Sequence, residues 1–568
     1  GYGRAAFNRY REYKRAVEDK YMGPLVKTSM TRCIHCTRCI RFIGDVAGVA
    51  DLGGIGRGEH MEIDTFVGKA LESELSGNII DLCPVGALTA KPYAFVARPW
   101  ELCKTESIDV LDAVGSNIRV DSRGPAVLRV LPRLNEDVNE EWISDKTRFA
   151  VDGLGKRRLD RPYIRRAGKL VEATWSEAFA AIADRVKGVA GERCAAIAGD
   201  LADAESMMAL KDLMTALSSP HLDCRQDGAK LDASCRSAYL FNTTIAGIEK
   251  ADACVLIGTD PRSEAAIINA RLRKRWMQGG FRVGAVGPAL DLTYPVSQLA
   301  TGPQGLIERA REFLGDAKQP MLVLGQGALR RKDGAAILGL ARELAASAGM
   351  VRADWNGFNV LHLAAARVGG LDLGFLPGAG GRDVAEILAG CASGEIEFLY
   401  LLGADEIETA RLGTPFIVYQ GHHGDRGAAR ADVVLPGAAY TEKDATYVNT
   451  EGRVQLARRA VFPPGDARVD WTILRALSAV LGKTLPYDSL GALRARMAAS
   501  YPSFAAPEGT PRAAWGAFGA CGAVDAQHFV YPIADFYRTD AISRASPTMA
   551  DCAAVRAEAA AGKTGTHG

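Results

Sequence analysis

Three cysteines, Cys33, Cys36 and Cys39, stand two residues apart in the stretch CIHCTRCIRF. A fourth, Cys83, follows 44 positions after Cys39, and Pro84 comes directly after it. A C-x-x-C-x-x-C run with a distant Cys-Pro is typical of [4Fe-4S] ligation, in which thiolates bind the irons of a cuboidal cluster. The spacing therefore predicts an iron–sulfur site at these four cysteines.

The chemistry of a cluster accounts for this spacing. Two-residue gaps let three thiolates converge on one face, one iron each, and the fourth iron takes a thiolate from elsewhere in the chain. Pro84 fixes the backbone after the last ligand and removes an amide proton, and Gly86 permits a tight turn. A cluster held by four protein thiolates has no open coordination position, so we expect this region to carry electrons and not to bind substrate.

Two other uses of the cysteines are open at this point, a zinc knuckle and a disulfide pair. Structural zinc sites usually combine two separate C-x-x-C hooks, so three thiols in one run favour the cluster. His35 lies between two ligands and is expected to be exposed or to support a ligand. Arg38 and Arg41 are expected to face solvent or a partner, or else to tune the cluster's potential.

The composition sets bounds on the rest of the chain. It has 568 residues, 48% of them hydrophobic, which suggests several domains. A net charge of +2 argues against a nucleic-acid or anionic-membrane partner. No apolar run reaches the roughly 20 residues that span a bilayer. Of 12 cysteines, eight are scattered singly, which suggests a reducing compartment. The start has no initiator Met and no signal peptide, so we expect residues to be missing upstream.

The elements that position these residues change along the chain. Residues 98–153 alternate apolar and polar residues around turn signals, which indicates a β-rich module. From 154 onward, short apolar runs alternate with helical stretches, which is typical of parallel α/β layers. Thr174 and Glu177 form a capping box at the start of one helix. The predicted strands lie in CAAIAGD, ACVLIGTD, FRVGAVGP, PMLVLGQG, EFLYLLGAD and PFIVYQG.

Several short motifs suggest chemistry that the residues do not support. LIGTDP (256–261) and LLGADE (401–406) each place a Gly and an Asp past a strand end, where α/β folds bind ligands. GQGALR has Arg330 at the third glycine position of a dinucleotide loop, so NAD is not expected there. AGKT (561–564) lacks the first glycine of a phosphate loop. The adjacent histidines of HHGD (422–425) are expected to point apart in a loop.

The chain resembles the large iron–sulfur subunit of respiratory complex I, NADH:quinone oxidoreductase, in its alphaproteobacterial and mitochondrial form. The resemblance runs from residue 11 almost to the end. The stretches that carry it are KRAVEDKYMGPLVKTSMTRCIHCTRCIRF, SELSGNIIDLCPVGALTAKPYAF, RPWE, KTESIDVLDAVGSNI, NEEWISDKTRF, NTTIAGIE, LIGTDPRSEAAIINARLRK, VVLPGAAYTEKDATYVNTEGRVQ and DFYRTDAISRASPTM.

The resemblance implies a role in electron transfer from NADH towards quinone. The four-cysteine [4Fe-4S] cluster of the family maps onto Cys33, Cys36, Cys39 and Cys83. A [2Fe-2S] cluster and a His/Cys-ligated [4Fe-4S] cluster are expected on a part of the protein before Gly1. NADH, FMN and quinone are expected on partner subunits of the complex. The implied location is the peripheral arm, on the cytoplasmic face of the bacterial inner membrane or on the matrix side in a mitochondrion.

The larger region is similar to molybdopterin oxidoreductases such as formate dehydrogenase. Those enzymes close another [4Fe-4S] motif with C-x-K-G-R, where this chain has S-D-K-T-R with Ser144 in place of the cysteine. Cys103 stands alone nearby, so this cluster is expected to be lost. An active molybdopterin dehydrogenase is the rival function, with Cys224 or Cys235 as the metal ligand. The resemblance to complex I implies instead no molybdopterin.

These expectations give an α/β protein with four regions. Residues 1–97 form the ferredoxin-like [4Fe-4S] domain, and 98–153 form the β-rich module without its cluster. Residues 154–482 form a cofactor-free α/β domain with parallel sheets and flanking helices. Residues 483–568 form a C-terminal extension that docks partners, around DFYRTDAISRASPTM. The remaining alternative is an interaction protein with a structural zinc at the four cysteines.

Overall fold

The computed structural model describes residues 17–510 and 512–560. The phosphate-loop-like AGKT stretch discounted above lies outside them. The four-cysteine region is built on two antiparallel strand pairs, β1 with β4 and β2 with β3. Its elements are β1 (Val26–Thr28), α1 (Arg38–Arg41), β2 (Leu52–Ile55), β3 (Glu62–Thr65), α2 (Asn78–Leu82) and β4 (Leu88–Ala90).

The β-rich module is a three-stranded antiparallel sheet in the order β5-β6-β7, followed by a short helix. Its elements are β5 (Cys103–Ile108), β6 (Asn117–Arg123), β7 (Ala126–Pro132) and α3 (Asp145–Phe149). The turn signals of the sequence fall between these strands, where a chain that alternates inward and outward side chains must reverse.

The α/β region contains fourteen of the described strands and twelve of the described helices. The strands are β8 (Tyr163–Arg166), β9 (Lys169–Glu172), β10 (Cys194–Ala198), β11 (His221–Asp223), β12 (Ala253–Ile257), β13 (Arg282–Val286), β14 (Ser297–Ala300), β15 (Pro320–Leu324), β16 (Phe358–Val360), β17 (Phe398–Leu402), β18 (Phe416–Gly421), β19 (Val433–Pro436), β20 (Ala445–Val448) and β21 (Val454–Ala457). The helices are α4 (Trp175–Val186), α5 (Ala204–Ala216), α6 (Pro261–Glu264), α7 (Ala266–Met277), α8 (Leu306–Leu314), α9 (Gln326–Leu329), α10 (Gly334–Ser347), α11 (Ala366–Asp372), α12 (Val384–Ser393), α13 (Arg426–Arg430), α14 (Asp470–Val480) and α15 (Leu490–Ser500).

Two separate sheets confirm the predicted α/β class with parallel strands. The five-stranded sheet, β14-β13-β12-β15-β16, is parallel throughout. The seven-stranded sheet, β11-β10-β17-β18-β19-β8-β9, is parallel except for the β8–β9 hairpin at one edge. All six predicted strands are present, and their side chains are largely buried on both faces, as helices on both sides of a parallel sheet require. The capping box at Thr174 is also present.

One hydrophobic core joins the iron–sulfur region to the rest of the molecule. It contains Ile43 and Ile79 from the four-cysteine region, Ile118 from the module and Leu256 from the five-stranded sheet. Apolar side chains from all these parts exclude water together, which holds the four-cysteine region against the body. The described residues contain no helix long and apolar enough to cross a membrane.

The C-terminal segment returns to this same core through α16 (Ala541–Ala545) and α17 (Pro547–Ala560). Ile542 and Met549 are fully enclosed there, and the missing side chain of Gly153 leaves room for the Ile542 carbonyl. The sequence predicted partner docking around DFYRTDAISRASPTM. Much of that stretch contacts its own chain, because its apolar residues complete the core between the module and the iron–sulfur region. Partner docking by this extension stays a prediction.

Candidate iron–sulfur site

A two-stranded ladder brings the two cysteine segments together. Strands β1 and β4 run antiparallel with Thr28 opposite Leu88. Cys33 lies five residues after Thr28, and Cys83 lies five residues before Leu88. Because both connections are equally short and leave the same end of the ladder, Cys83 must return to the Cys33 loop. The ladder thus brings together two cysteine segments although Cys83 lies 44 positions after Cys39 in the sequence.

The loop from Cys33 to Cys39 is curled by two residues in the left-handed region, His35 with φ 52° and Thr37 with φ 60°. Thr37 directly precedes α1, which carries Cys39. The His35 backbone N–H donates to the Cys33 sulfur at 3.4 Å. N–H donors of this kind stabilise a thiolate and adjust the potential of a cluster bound to it. His35 therefore acts on the site through its backbone, which agrees with the supporting role expected for it.

Cys83 lies at the C-terminal end of α2, where its N–H donates to the Ile79 carbonyl at 3.0 Å. The chain then turns through Gly86, whose φ of 66° an L side chain rarely adopts. The Ser29 N–H donates to the Ala87 carbonyl at 2.8 Å and holds this turn against the β1 side. The helix end and the turn together fix the direction in which the Cys83 side chain projects.

All four predicted cysteines line one cavity, and each of them is half-buried. The other lining residues are mostly apolar: Met30, Ile34, Thr37, Arg38, Ile63, Val85, Ala87 and Leu88. Burial, with smaller contributions from Cys33 and Cys36, raises the pKa of the Cys39 thiol to about 11. Metal binding requires the thiolate, so iron would have to displace a proton that the free thiol retains at neutral pH.

The donor set fits a [4Fe-4S] cluster, which takes four thiolates in an apolar pocket. Among the residues that the structure describes, no three His, Cys, Asp or Glu side chains lie close enough together to hold one metal ion. A cluster places its ligands differently from a single ion, because each thiolate binds a different iron. Four cysteines around one cavity are the arrangement that a cluster needs.

In the β-rich module, the residues at the expected cluster positions make structural contacts. Ser144 is buried and caps α3 by accepting the Thr147 N–H at 3.1 Å. Its hydroxyl also lies 2.8 Å from the Thr147 hydroxyl. Cys103 is exposed at the start of β5, opposite Ser122. The serine at the position where related enzymes have a cysteine therefore stabilises a helix terminus.

The strand ends of the α/β region are engaged in internal contacts. Asp260 caps α6, and Asp405 accepts a hydrogen bond from the Tyr419 hydroxyl at 2.6 Å. Cys224 is buried, and its enclosure raises the pKa of its thiol to about 12. The Cys235 sulfur lies 3.4 Å from the Ser237 hydroxyl. Asp260 and Asp405 are therefore partnered within the fold, and the Cys224 thiol is enclosed by it.

The prediction that the two histidines of HHGD point apart is wrong. The Nδ1 atoms of His422 and His423 are 2.5 Å apart, and the rings meet edge to face. Burial lowers the pKa of both rings, so the pair is neutral and one nitrogen can donate to the other. The His423 Nε2 also contacts the Gly153 carbonyl at 2.9 Å. The sharp bend after β18 turns both rings inward, which the sequence spacing did not reveal.

Sequence reasoning also missed Glu74, a buried carboxylate of the iron–sulfur region. It accepts from Arg262 Nε at 3.0 Å and pairs with Arg556 at 3.0 Å. Arg262 belongs to α6 and Arg556 to α17, so one carboxylate connects three parts of the chain. Its sequence signal is weak, because it is one of two glutamates in the stretch LESELSGNII and nothing there distinguishes the buried one.

Comparison with known proteins gives relatives over nearly the whole chain. The mitochondrial NADH dehydrogenase [ubiquinone] iron-sulfur protein 1 of Solanum tuberosum is 50% identical over 558 residues, covering 96% of this chain and 74% of the relative. The G subunit of the NADH-quinone oxidoreductase of Rickettsia felis is 48% identical over 557 residues, covering 97% and 81%. The chain belongs to this family of NADH-quinone oxidoreductase iron–sulfur subunits. The resemblance on which the sequence analysis relied is thereby confirmed.

Family profiles divide this oxidoreductase subunit into matched segments. Residues 23–89 match the ferredoxin-like domain of NADH-quinone oxidoreductase subunit 3, and 102–152 match the NDSU1/NuoG-like 4Fe-4S domain. Residues 158–480 match molybdopterin oxidoreductase and belong to that family. Residues 509–552 match the C-terminal domain of the NADH-ubiquinone oxidoreductase G subunit. Among solved structures, acetylene hydratase from Pelobacter acetylenicus covers 67% of this chain and 69% of its own, with 10% identity and a TM-score of 0.45.

Proposed function

We propose that this chain is the iron–sulfur electron-transfer subunit of an NADH:quinone oxidoreductase. Cys33, Cys36, Cys39 and Cys83 hold one [4Fe-4S] cluster, which supplies one-electron transfer when bound. The observation that carries the proposal is the convergence of these four cysteines on one apolar cavity in a member of this oxidoreductase family. Because all four thiolates would be engaged, the site offers no position for a substrate.

The protein around the cavity has three tasks. The four thiolates bind iron, and the β1–β4 ladder holds the two cysteine segments in register. The N–H of His35 donates to the Cys33 sulfur and stabilises negative charge on it. Apolar neighbours such as Ile63 and Leu88 limit the approach of water, which lowers the dielectric and influences the potential.

The remaining chain acts as a scaffold and an assembly surface. The module at 98–153 has Cys103 as its one cysteine and uses Ser144 as a helix cap, so we expect it to hold no cluster of its own. We expect the α/β domain to hold no molybdopterin, and the engagement of Asp260 and Asp405 within the fold is consistent with this. Partners are the flavin- and NADH-binding subunit and the quinone-proximal iron–sulfur subunits. The chain lies in the peripheral arm, on the cytoplasmic or matrix side.

The match of residues 158–480 to molybdopterin oxidoreductases favours one other candidate, an active molybdopterin dehydrogenase. That function requires a metal ligand and an open cavity at the sheet ends. Cys224, the buried candidate, is packed against the backbone of Gly370. Stoichiometric molybdenum in the purified protein would favour this candidate.

Reduction by NADH tests the electron-transfer role directly. The assembled oxidoreductase is purified anaerobically, reduced with NADH and measured by EPR, alongside enzyme carrying Cys83→Ala. We expect one of the [4Fe-4S] signals that appear with NADH to be missing from the variant, while the signals of clusters on partner subunits remain. An unchanged set of NADH-reducible signals in Cys83→Ala, or a Cys83-dependent signal that dithionite elicits but NADH does not, would contradict the proposal.

A further inference from the structure

The segment after β4 exposes three large apolar side chains within six residues. Phe95 is 83% exposed, Val96 44% and Trp100 80%. Single exposed apolar residues are common on protein surfaces, but a contiguous group that includes aromatic side chains marks a site of interaction. We call residues 95–100 the aromatic patch. It directly follows the strand that positions Cys83.

The aromatic patch is held in a defined conformation. The Val96 N–H donates to the Tyr93 carbonyl at 3.0 Å, and the Tyr93 hydroxyl donates to the Ala97 carbonyl at 3.1 Å. A 3-10 turn, Pro99–Glu101, follows, in which the Arg98 N–H donates to the Glu101 carboxylate at 3.0 Å. Trp100 is therefore presented on a structured turn, which lowers the entropy lost when a partner binds it.

The backbone of Phe95 is strained. Its φ is 67°, in the left-handed region that bulky side chains avoid. Within its own chain the ring has a contact with the Lys27 ammonium, 4.6 Å from the ring centre, and otherwise faces solvent. Strain that presents an aromatic ring to solvent gives no stability to the chain itself. Such outliers cluster at functional sites, where a contact outside the chain compensates for them.

The charge around the aromatic patch is positive. Lys27 contacts the Phe95 ring, and Arg98 lies within the patch. Lys91 and Lys104, four residues before and after the patch in sequence, are exposed, whereas Glu101 is engaged by Arg123 at 3.2 Å. A partner surface that brings carboxylates to this rim would gain electrostatic complementarity and a faster encounter. The aromatic centre with a charged rim has the layout of a protein–protein interface.

We infer that the aromatic patch is the docking site for another protein subunit of the oxidoreductase. That subunit offers an apolar pocket for Phe95 and Trp100, bordered by Asp and Glu side chains. The inference rests on the proposed function, because it takes the chain to be part of a larger assembly. A structured turn with a Trp and an Arg favours a protein partner, since these residues dominate binding energy at interfaces.

Hydroxyl-radical footprinting tests the docking without altering the protein. The purified full chain and the detergent-solubilised oxidoreductase are oxidised in parallel, and the oxidation rate of each aromatic residue is measured by mass spectrometry. We expect the oxidation rates of Phe95 and Trp100 to fall on assembly, because an interface excludes water from its central residues. Phe462 is the matched control, because it is 72% exposed and has Arg459 4.3 Å from its ring centre. Its rate should not change.

A pair of variants tests whether the docking contributes to assembly. Phe95→Ser/Trp100→Ser is compared with Phe462→Ser, and iron per chain shows that each variant is folded. The measurement is the fraction of the chain that sediments with the oxidoreductase on a density gradient. We expect this fraction to be roughly tenfold lower for the double variant than for the natural chain. The control should assemble like the natural protein.

The failures of the two proposals are distinguishable. If the natural chain is absent from the oxidoreductase, the proposed function fails. If the chain is present but Phe95 and Trp100 oxidise as fast as in the free chain, or Phe462 slows equally, only the docking inference is overturned. A membrane contact is the other outcome that would overturn the docking inference. In that case the chain binds phosphatidylcholine–phosphatidylserine vesicles only when Phe95 and Trp100 are present, and both residues are still oxidised at the free-chain rate in the complex.

Discussion

At the scale of single residues, the electron transfer that we propose depends on four thiols. The other described cysteines lie at separate places: most are enclosed in the core, as Cys254 is, Cys235 is half-buried, and Cys103 and Cys521 are exposed. A thiol binds a cluster iron only where other thiolates can share the cluster, so position and not residue type decides which cysteines matter.

We expect Cys36→Ala to lose nearly all bound iron and Cys103→Ala to lose none. Cys36 lines the common cavity, whereas Cys103 lies on an exposed strand end. The measurement is iron per chain after anaerobic reconstitution of each variant. Loss of iron from Cys103→Ala would show that the module holds a cluster, contrary to the role we assign to Ser144.

Asp109 should make stability depend on pH. Burial, and then the nearby Asp112, raise the pKa of its carboxyl to about 8, although the Thr147 hydroxyl donates to it at 2.9 Å. An unfolded Asp has a pKa of about 3.9, so the stability contributed by the protonated group is lost as pH rises from about 4 to 8.

We therefore expect Asp109→Asn to flatten the decline in denaturation midpoint between about pH 5 and pH 8. The measurement is a urea titration at several pH values in that window, for the natural chain and the variant. Asp291→Asn serves as control, because Asp291 is 98% exposed. Equal slopes for Asp109→Asn and the natural chain would show that Asp109 is already ionised in the folded state.

At the scale of elements, the turn between Cys83 and β4 decides where the fourth thiol points. Gly86 has φ 66°, and a Cβ there would meet nothing closer than Arg32 Nη1 at 3.8 Å. Gly86→Ala therefore introduces backbone strain without a clash, and costs about 1–2 kcal/mol. We expect this variant to lose its cluster faster in air than the natural chain does.

The matched control is Gly124→Ala in the turn between β6 and β7. Its φ is 59°, and a Cβ there would meet nothing within 4 Å. The two variants should lose similar stability in thermal unfolding, because the backbone penalty is the same. Only Gly86→Ala should show faster bleaching of the visible cluster absorption. Equal bleaching rates in the two variants would show that the turn at Gly86 does not affect the stability of the cluster.

The elements themselves could be predicted largely from the sequence. The parallel strands could be predicted because buried runs such as ACVLIGTD are largely apolar without interruption. The capping box at Thr174 likewise predicted the start of one helix. The approach of Cys83 to Cys33 could be expected only from the ligand pattern. The β1–β4 ladder that causes it has three residues per strand, too few to give a period-2 signal. The orientation of His422 and His423 depends on a bend set by long-range packing.

At the scale of the whole molecule, Glu74 connects the iron–sulfur region, α6 and α17. The carboxylate is 4% exposed, and its partners Arg262 and Arg556 are 12% and 38% exposed. Glu74→Ala leaves the largely buried Arg262 with Asp291 as its one carboxylate partner among the described residues, at the surface, so the substitution should cost about 3 kcal/mol. We expect a lower thermal midpoint together with faster hydrogen exchange in α17.

Asp291→Asn is again a useful control, because Asp291 also pairs with Arg262, at 3.1 Å, but from the surface. An exposed pair of this kind contributes less than about 1 kcal/mol. If both substitutions lower the midpoint equally, the burial of Glu74 does not hold the three parts together.

The function proposed here depends on one [4Fe-4S] cluster, which we propose that Cys33, Cys36, Cys39 and Cys83 hold as the one metal centre among the residues that the structure describes. Anaerobic metal analysis combined with EPR on the dithionite-reduced chain measures that centre directly. We expect about four irons per chain, no molybdenum, and one [4Fe-4S] signal that Cys83→Ala abolishes. Zinc in place of iron, stoichiometric molybdenum, or a second cluster signal would contradict it.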